Sequence, residues 1–260
     1  MTAILRNESG KLLRGTLTLT GLLVFLSGFF LLVFPSIQEE ATLLEEVYPE
    51  YILALLGVEE LHTIEGFVGG YIFPFMWVFI GGIYFAYVTA GMIAGDIRSR
   101  RMDLILSNPV SRESVVLQKM AALWVPLLGL ISGFVAVLLV GVWGLGESID
   151  LTALVMVHAL GVPYLLVCSG IGIVCSVVFD RAESAQATAP GLVFLLWLVD
   201  GLSEMNPEFE WIGDLTPSRY YDPTAILVHG EYALFDAGVL LVAFLALVGL
   251  AAGLFIRRDI

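Results

Sequence analysis

The stretch GDIRSRRMDLILSNPVSRESVVLQKM, running from Gly95 to Met120, is a basic interval enclosed by two charge-free apolar runs, 66–95 and 120–146. Its own pattern predicts two helices and a bend. Ile97 to Leu106 reads as a short amphipathic helix, with Met102, Ile105 and Leu106 on one side and Ser99, Arg100 and Asp103 on another. Pro109 disfavours helical backbone at Asn108 and ends that run. Ser111 then suits an N-cap, with Glu113 in the first turn beside the positive end of the helix dipole, so a second helix starts there and continues into the next apolar run. Helix, proline elbow and capped helix make a compact knob on two long apolar helices. A plain basic loop accounts for the arginines, but not for the apolar residues from Leu104 to Leu106 or the Asn-Pro-Val-Ser-Arg elbow.

The enclosing runs have counterparts along the whole chain. A membrane helix needs about 20 mostly apolar residues to cross ~30 Å of hydrocarbon. Six runs qualify: 15–35, 66–95, 120–146, 151–179, 184–203 and 237–256. Asp200 interrupts the fifth; an aspartate costs about 3 kcal/mol at a helix centre and little at its end, so it is placed at the membrane interface. The first run follows Arg6, Lys11 and Arg14, lacks a small-residue cleavage site and exceeds a signal-peptide core, so it reads as a retained helix. Apolar residues make up 58% of the 260 and charged ones 14%, and the mean hydropathy is +0.92. Residues 1–260 therefore read as a single all-α, polytopic transmembrane domain. This excludes a cytosolic enzyme and a receptor with a large folded ectodomain.

Placing both termini in the cytoplasm puts 11 of the 12 Lys and Arg residues inside and leaves Arg219 outside, as the positive-inside rule favours. The 25 carboxylates then divide as 7 inside and 18 outside. A net charge of −13, with 2 Lys against 10 Arg, resembles proteins of salt-loving archaea. In molar salt the Debye length falls to roughly 3 Å and such self-repulsion vanishes. An acidic external face without salt adaptation is the alternative.

Chemistry-bearing groups are sparse. Gly10-Lys11 is followed by Leu12 and lacks the upstream glycine of a phosphate loop, so ATP is not bound by that route. Cys168 and Cys175 lie about 10.5 Å apart along one helix, cannot bridge within it, and read as small packing residues. His158 reads as a hydrogen-bonded packing residue within its span. Glu59, Glu60, His62 and Glu65 cluster in the first external loop, where solvated carboxylates are the default and a metal site the lesser reading. Span interiors poor in ionisable groups count against an intramembrane hydrolase and against ion-coupled transport, and favour a pathway driven from outside this chain. No catalytic or metal-ligating residue is assigned. Gly91 with Gly95, Gly129 with Gly133, and Gly249 with Gly253 have the spacing that lets helices approach closely, and at least one pair is expected to pack on another helix.

Between the fifth and sixth runs, Trp211, Ile212, Leu215, Tyr220, Tyr221, Ile226 and Leu227 are too apolar for a solvated loop, while Pro217 and Pro223 forbid one long helix. Two short elements at the outer membrane face are expected, re-entrant or interfacial, with Asp214, Arg219 and Asp222 satisfied at the bend.

From Asp96 to Lys119 the sequence resembles the ABC transporter permeases of the type-2, exporter-like family. Asp96 falls at their acidic residue after the second span, Ile105, Leu106 and Ser107 at Leu-Leu-Ser, Pro109, Val110, Ser111 and Arg112 at Pro-Val-Ser-Arg, and Lys119 at their lysine. Arg101 and Met102 depart from the family's Thr-Leu. The stretch LTPSRYYDP, Leu215 to Pro223, is similar to the family's Pro- and Tyr-rich segment before the last span. The resemblance implies six transmembrane helices with both termini cytoplasmic, and a short coupling helix between helices 2 and 3. It implies a multi-pass plasma-membrane subunit that pairs with a second permease copy, as homodimer or heterodimer, each served by a separate cytoplasmic ABC ATPase. ATP and Mg then sit on the ATPase; this chain binds no cofactor and no nucleic acid. Asp96, Arg98, Arg101, Pro109 and Arg112 would couple to the ATPase, and Leu215, Pro217, Arg219, Tyr220 and Tyr221 would form an external gate. Two other classes stay open: a non-transporting membrane scaffold or sensor using the same knob, and a metal or ion carrier using Glu59, Glu60 and His62.

Overall fold

The computed structural model describes residues 3–47, 60–203, 205 and 208–258. Among the described residues there is no strand, and six helices are long and apolar enough to cross a membrane. In chain order the helices are α1 (Ala3–Val47), α2 (Ile64–Arg98), α3 (Arg101–Leu106), α4 (Arg112–Leu145), α5 (Leu151–Val178), α6 (Ala182–Ser203), α7 (Glu210–Gly213), α8 (Pro223–Leu227) and α9 (Leu234–Arg257). The spans are α1, α2, α4, α5, α6 and α9. Glu8 near the start of α1 and Arg258 after α9 both contact the segment around α3, so the two ends of the chain share one end of the bundle, here the termini end.

Hydropathy located all six spans, and helix propensity set their lengths differently. The first helix begins 12 residues before the 15–35 run and extends to Val47, about 67 Å in all. Arg6, Glu8, Lys11 and Arg14 are good helix formers, so the apolar run marks only the part suited to hydrocarbon. The second span is irregular: Val68–Gly81 winds in wide i→i+5 turns around Pro74, which has no backbone N–H to donate. It breaks again at Ile93, where Ser176 Oγ accepts hydrogen bonds from the Ile93 and Ala94 amides at 2.9 and 3.0 Å.

The amphipathic helix expected from Ile97 to Leu106 is shorter than its pattern suggests. Ile97 and Arg98 finish α2, Arg100 adopts φ 55°, and α3 begins at Arg101. That left-handed turn, with Ser99 Oγ bonding back to the Gly95 carbonyl at 2.8 Å, separates what a periodicity reading joins. Ser111 does cap α4, its hydroxyl accepting from the Ser114 amide at 3.2 Å, with Glu113 in the first turn.

Two packings organise the bundle. The central helix is α5, enclosed by α2, α6 and α9, and α1 lies along α4. Gly129 and Gly133 of α4 meet Thr16 and Thr20 of α1 with no room for a Cβ, so this glycine pair makes the close approach its spacing suggests. Gly249 and Gly253 face open space. Large apolar side chains point outward around the belt, among them Leu32, Trp143 and Phe235, each more than three-quarters exposed. In water such a surface would aggregate; against lipid it is solvated.

The segment after α6 also departs from expectation. It forms three short elements, α7, a 3₁₀ turn at Ser218–Tyr220 and α8. Pro217 opens the 3₁₀ turn and Pro223 occupies the first turn of α8, positions that need no donated N–H, so each proline starts a new element.

Candidate functional site

At the termini end, five charged side chains converge beneath α3. Asp96, near the end of α2, is buried; its Oδ2 lies 2.5 Å from Lys119 Nζ, and its Oδ1 3.3 Å from Arg101 Nε and 3.5 Å from Lys11 Nζ. Glu8 of α1 completes the group, 2.6 Å from Lys11 and 3.2 Å from Lys119. Lys119 is wholly buried. Two carboxylates and three cations thus tie α1, α2 and α4 to the first residue of α3. A buried charge stripped of its partner costs several kcal/mol, so such a cluster holds its helices in one register.

Above this base, α3 and the elbow project outward. Leu104 is 70% exposed, and Ser107, Asn108 and Pro109 are exposed beside it. A cleft of about 350 Å³ separates the knob from the start of α1, with Ile4 and Asn7 on one wall and Leu104, Ile105 and Val110 on the other.

The residues tied to coupling by resemblance fall into two groups. Arg98, Arg101 and Pro109 are exposed at the surface; Arg98 pairs with Glu183 of α6, also exposed, and such a pair adds little stability. Asp96 and Arg112 face inward. Arg112 Nη1 donates to the carbonyls of Phe255 at 2.9 Å and Ile256 at 3.1 Å and to that of Arg258, and its guanidinium stands 5.6 Å over the Phe255 ring. These are the carbonyls a helix end leaves without intrahelical donors. Arg258 repeats the device on α5, donating to the carbonyls of Val177 and Phe179 and to Asp180 Oδ1. Glu8 and Lys11 were not singled out from sequence; their i,i+3 spacing was the available signal, and recognising it required helix ahead of the apolar run.

At the opposite end, the segment after α6 lies across α2 and α5. Tyr221 is buried, donates its hydroxyl to the Val157 carbonyl at 2.9 Å, and stacks on Tyr164 at 6.3 Å. Burial, with the Asp222 charge adjoining, holds the Tyr221 phenol well above its ordinary pKa of 10.0. Gly69 of α2 packs so closely on the backbone of Pro223 and Thr224 that an added Cβ would sit 3.0 Å from Thr224 Cα. Asp222 caps α8, accepting from the Thr224 and Ala225 amides at 2.8 and 3.0 Å. Arg219 pairs with Glu210 at 2.9 Å and reaches Asp214 at 4.0 Å. Tyr220 donates to the Asp214 carbonyl at 2.8 Å. Leu215 and Trp211 project outward, 72% and 63% exposed, while Ile226 and Leu227 are buried against the bundle.

The remaining sequence candidates are buried packing residues or lie partly outside the described residues. His158 lies among Phe73, Trp77 and Phe134 with its Nδ1 2.7 Å from the Leu154 carbonyl. Cys168 and Cys175 are free thiols, both buried. Glu59 lies outside the described residues, and among the described residues no three His, Cys, Asp or Glu side chains converge as a metal site.

Six apolar helices, the central one buried among the others, with an ion-paired cluster at one end and a docked aromatic segment at the other, define a multi-pass membrane protein. Comparison with protein families supplies the lineage: the family described as ABC-2 family transporter protein matches residues 2–260, and the chain belongs to that family. It is a cell-membrane permease component of an ABC transporter; such components have no ATPase site of their own and work with an ATP-binding partner subunit. Comparison with curated proteins finds no match.

Proposed function

We propose that this permease couples ATP hydrolysis on its partner ATPase to outward movement of a substrate, two permease copies enclosing the path. The observation that carries the reading is the α3 knob, an exposed apolar turn and proline elbow standing on a buried ion cluster shared by α1, α2 and α4. A push on the knob reaches three spans together, because each contributes a charge to its base. The termini end carries 11 of the 12 basic residues, which orients it to the cytoplasm where an ATPase resides.

On this reading Leu104, Pro109, Arg98 and Arg101 meet the ATPase, the arginines pairing with its carboxylates. Asp96 and Arg112 act from beneath, one holding the base of the knob and the other the end of α9. At the opposite end, Leu215, Pro217, Arg219, Tyr220 and Tyr221 belong to a gate over the exit, with exposed Leu215 facing the second copy.

The test is Leu104→Glu, which adds a charge to the exposed turn without touching the ion cluster. ATPase co-purification should fall at least tenfold while membrane abundance holds. Undiminished co-purification would overturn the assignment of the knob.

A further inference from the structure

Toward the end opposite the termini, the surfaces of α2 and α6 share four contacting aromatic rings. Phe75 stacks on Phe79 with centroids 5.6 Å apart, Phe79 meets Trp197 at 4.9 Å and Phe194 at 6.0 Å, and Phe194 stacks on Trp197 at 6.2 Å. Phe75 and Phe194 are exposed. Phe194, Trp197 and Gly201 stand at i, i+3 and i+7, so the ring stripe runs along one face of α6. It ends in a cleft of about 330 Å³ lined by Trp197, Leu198, Asp200, Gly201, Leu202 and Met205.

Among the described residues Asp200 is the charged member of that lining. It is 9% exposed, and its Oδ1, turned toward Gly213 of α7, is buried with no hydrogen-bond partner among the described residues. Arg219 is the one Lys or Arg in the sequence at this end, and it already bridges Glu210 and Asp214. A second copy of the chain would bring only the same arginine. The sequence places 18 carboxylates at this end, a field that concentrates cations.

We propose that this cleft binds an apolar organic cation, such as a quaternary ammonium or phosphonium with aromatic or alkyl substituents, as the cargo of the transport proposed above, on which this inference rests. The cation faces the Asp200 carboxylate, whose attraction is strengthened where water is scarce. Its substituents lie on the electron-rich face of Trp197, the ring of the stripe that lines the cleft, and such faces favour cationic guests. Met205, exposed and unbranched, provides an adaptable lip. An apolar anion of the same shape meets the same ring and an uncompensated negative charge, so the site discriminates by sign.

The full chain, purified in lipid nanodiscs without its ATPase, is titrated with tetraphenylphosphonium and with tetraphenylborate, two ions of one shape and opposite charge. The phosphonium should bind saturably and quench tryptophan fluorescence, and the borate should not displace it. Asp200→Asn should weaken phosphonium binding at least tenfold and Trp197→Leu at least fivefold, with unfolding temperatures unchanged, while Asp236→Asn at the same end leaves affinity intact. If Asp200→Asn does not fold, the charge discrimination and Trp197→Leu decide the matter. Equal affinity for the two ions, full affinity in Asp200→Asn, or an equal loss in Asp236→Asn would overturn the proposal. With no ATPase present, none of these results depends on whether the knob docks one.

Discussion

Lys119 Nζ lies 2.5 Å from Asp96 Oδ2, and the lysine has no exposed surface. The pair joins the end of α2 to the start of α4 directly under α3. Lys119→Met leaves Asp96 with Lys11 and Arg101 at 3.5 and 3.3 Å, so the loss of stability should be about 3 kcal/mol, the lower end for an uncompensated buried charge. Asp96→Asn combined with Lys119→Met should cost less than the two separately, with an interaction energy of about 1–3 kcal/mol. Denaturation of the four proteins in detergent measures it; strict additivity would remove the pair from the coupling scheme.

Arg112 makes a different prediction from Leu104. Arg112→Ala deprives the Phe255, Ile256 and Arg258 carbonyls of a donor, so amide exchange at the end of α9 should quicken about tenfold, the equivalent of roughly 1.4 kcal/mol. Leu104→Glu should leave that exchange unchanged. Slow exchange in Arg112→Ala would show that the guanidinium is not what holds the helix end.

Tyr221→Phe removes a buried donor from the Val157 carbonyl, which keeps its place in the helical ladder of α5, at a cost of about 0.5–1.5 kcal/mol. The phenol also sets a pH limit. Its pKa is raised in the folded protein, chiefly by burial, so its contribution is complete below the unfolded value near 10.0 and declines as pH rises past it. Stability should therefore fall more steeply above pH 10 in the parent than in Tyr221→Phe, as read by thermal unfolding across pH 8 to 11. Parallel curves would place the alkaline loss elsewhere.

Orientation is tested with single cysteines at Asp180, at the termini end, and Leu215, at the other, in a background lacking Cys168 and Cys175. Both sites are exposed, at 97% for the Asp180 side chain and 72% for Leu215. On intact cells an impermeant maleimide should label Leu215→Cys and spare Asp180→Cys until the membrane is opened. The reverse pattern would invert the topology and move the knob out of reach of a cytoplasmic ATPase.

The acidity predicts a response to salt. With 18 carboxylates against one arginine at one end, lowering ionic strength from molar to about 0.1 M lengthens the Debye length from roughly 3 to 10 Å and exposes their repulsion. The unfolding temperature should drop by several degrees or more. A temperature that does not move with salt would leave the acid excess without a stabilising medium.

Spans were legible because a bilayer imposes a single requirement, a long apolar run, which composition alone reveals. The Ser111 cap and the Pro109 elbow were legible because their chemistry is local. Hidden from sequence were features made by distant residues. Ser176 takes the amides freed at Ile93, and Arg112 takes carbonyls 143 or more residues away. Asp96 and Lys119 were recognisable as a motif, but Glu8 completes their cluster from within a stretch that hydropathy assigned to no helix. Asp200 was placed at the membrane interface by its charge, and its burial beside Gly213 depends on how α7 folds back.

The burial of α5 bears on how the protein is made. Of its most apolar window 72% is enclosed by the protein, against 22% for α6 and α9, so α5 is the span least suited to face lipid by itself. One of its walls, α2, is synthesised before it, but another, α9, follows roughly 80 residues later, on the order of ten seconds at ordinary translation rates. During that interval Gly170, the close glycine of α5 that Leu247 of α9 packs against, has an open flank in the bilayer. Until Arg258 reaches the end of α5, the nascent chain offers an insertase or membrane chaperone a recognisably unfinished surface, and truncations before α9 should be cleared by quality control even though most of the spans are already in place.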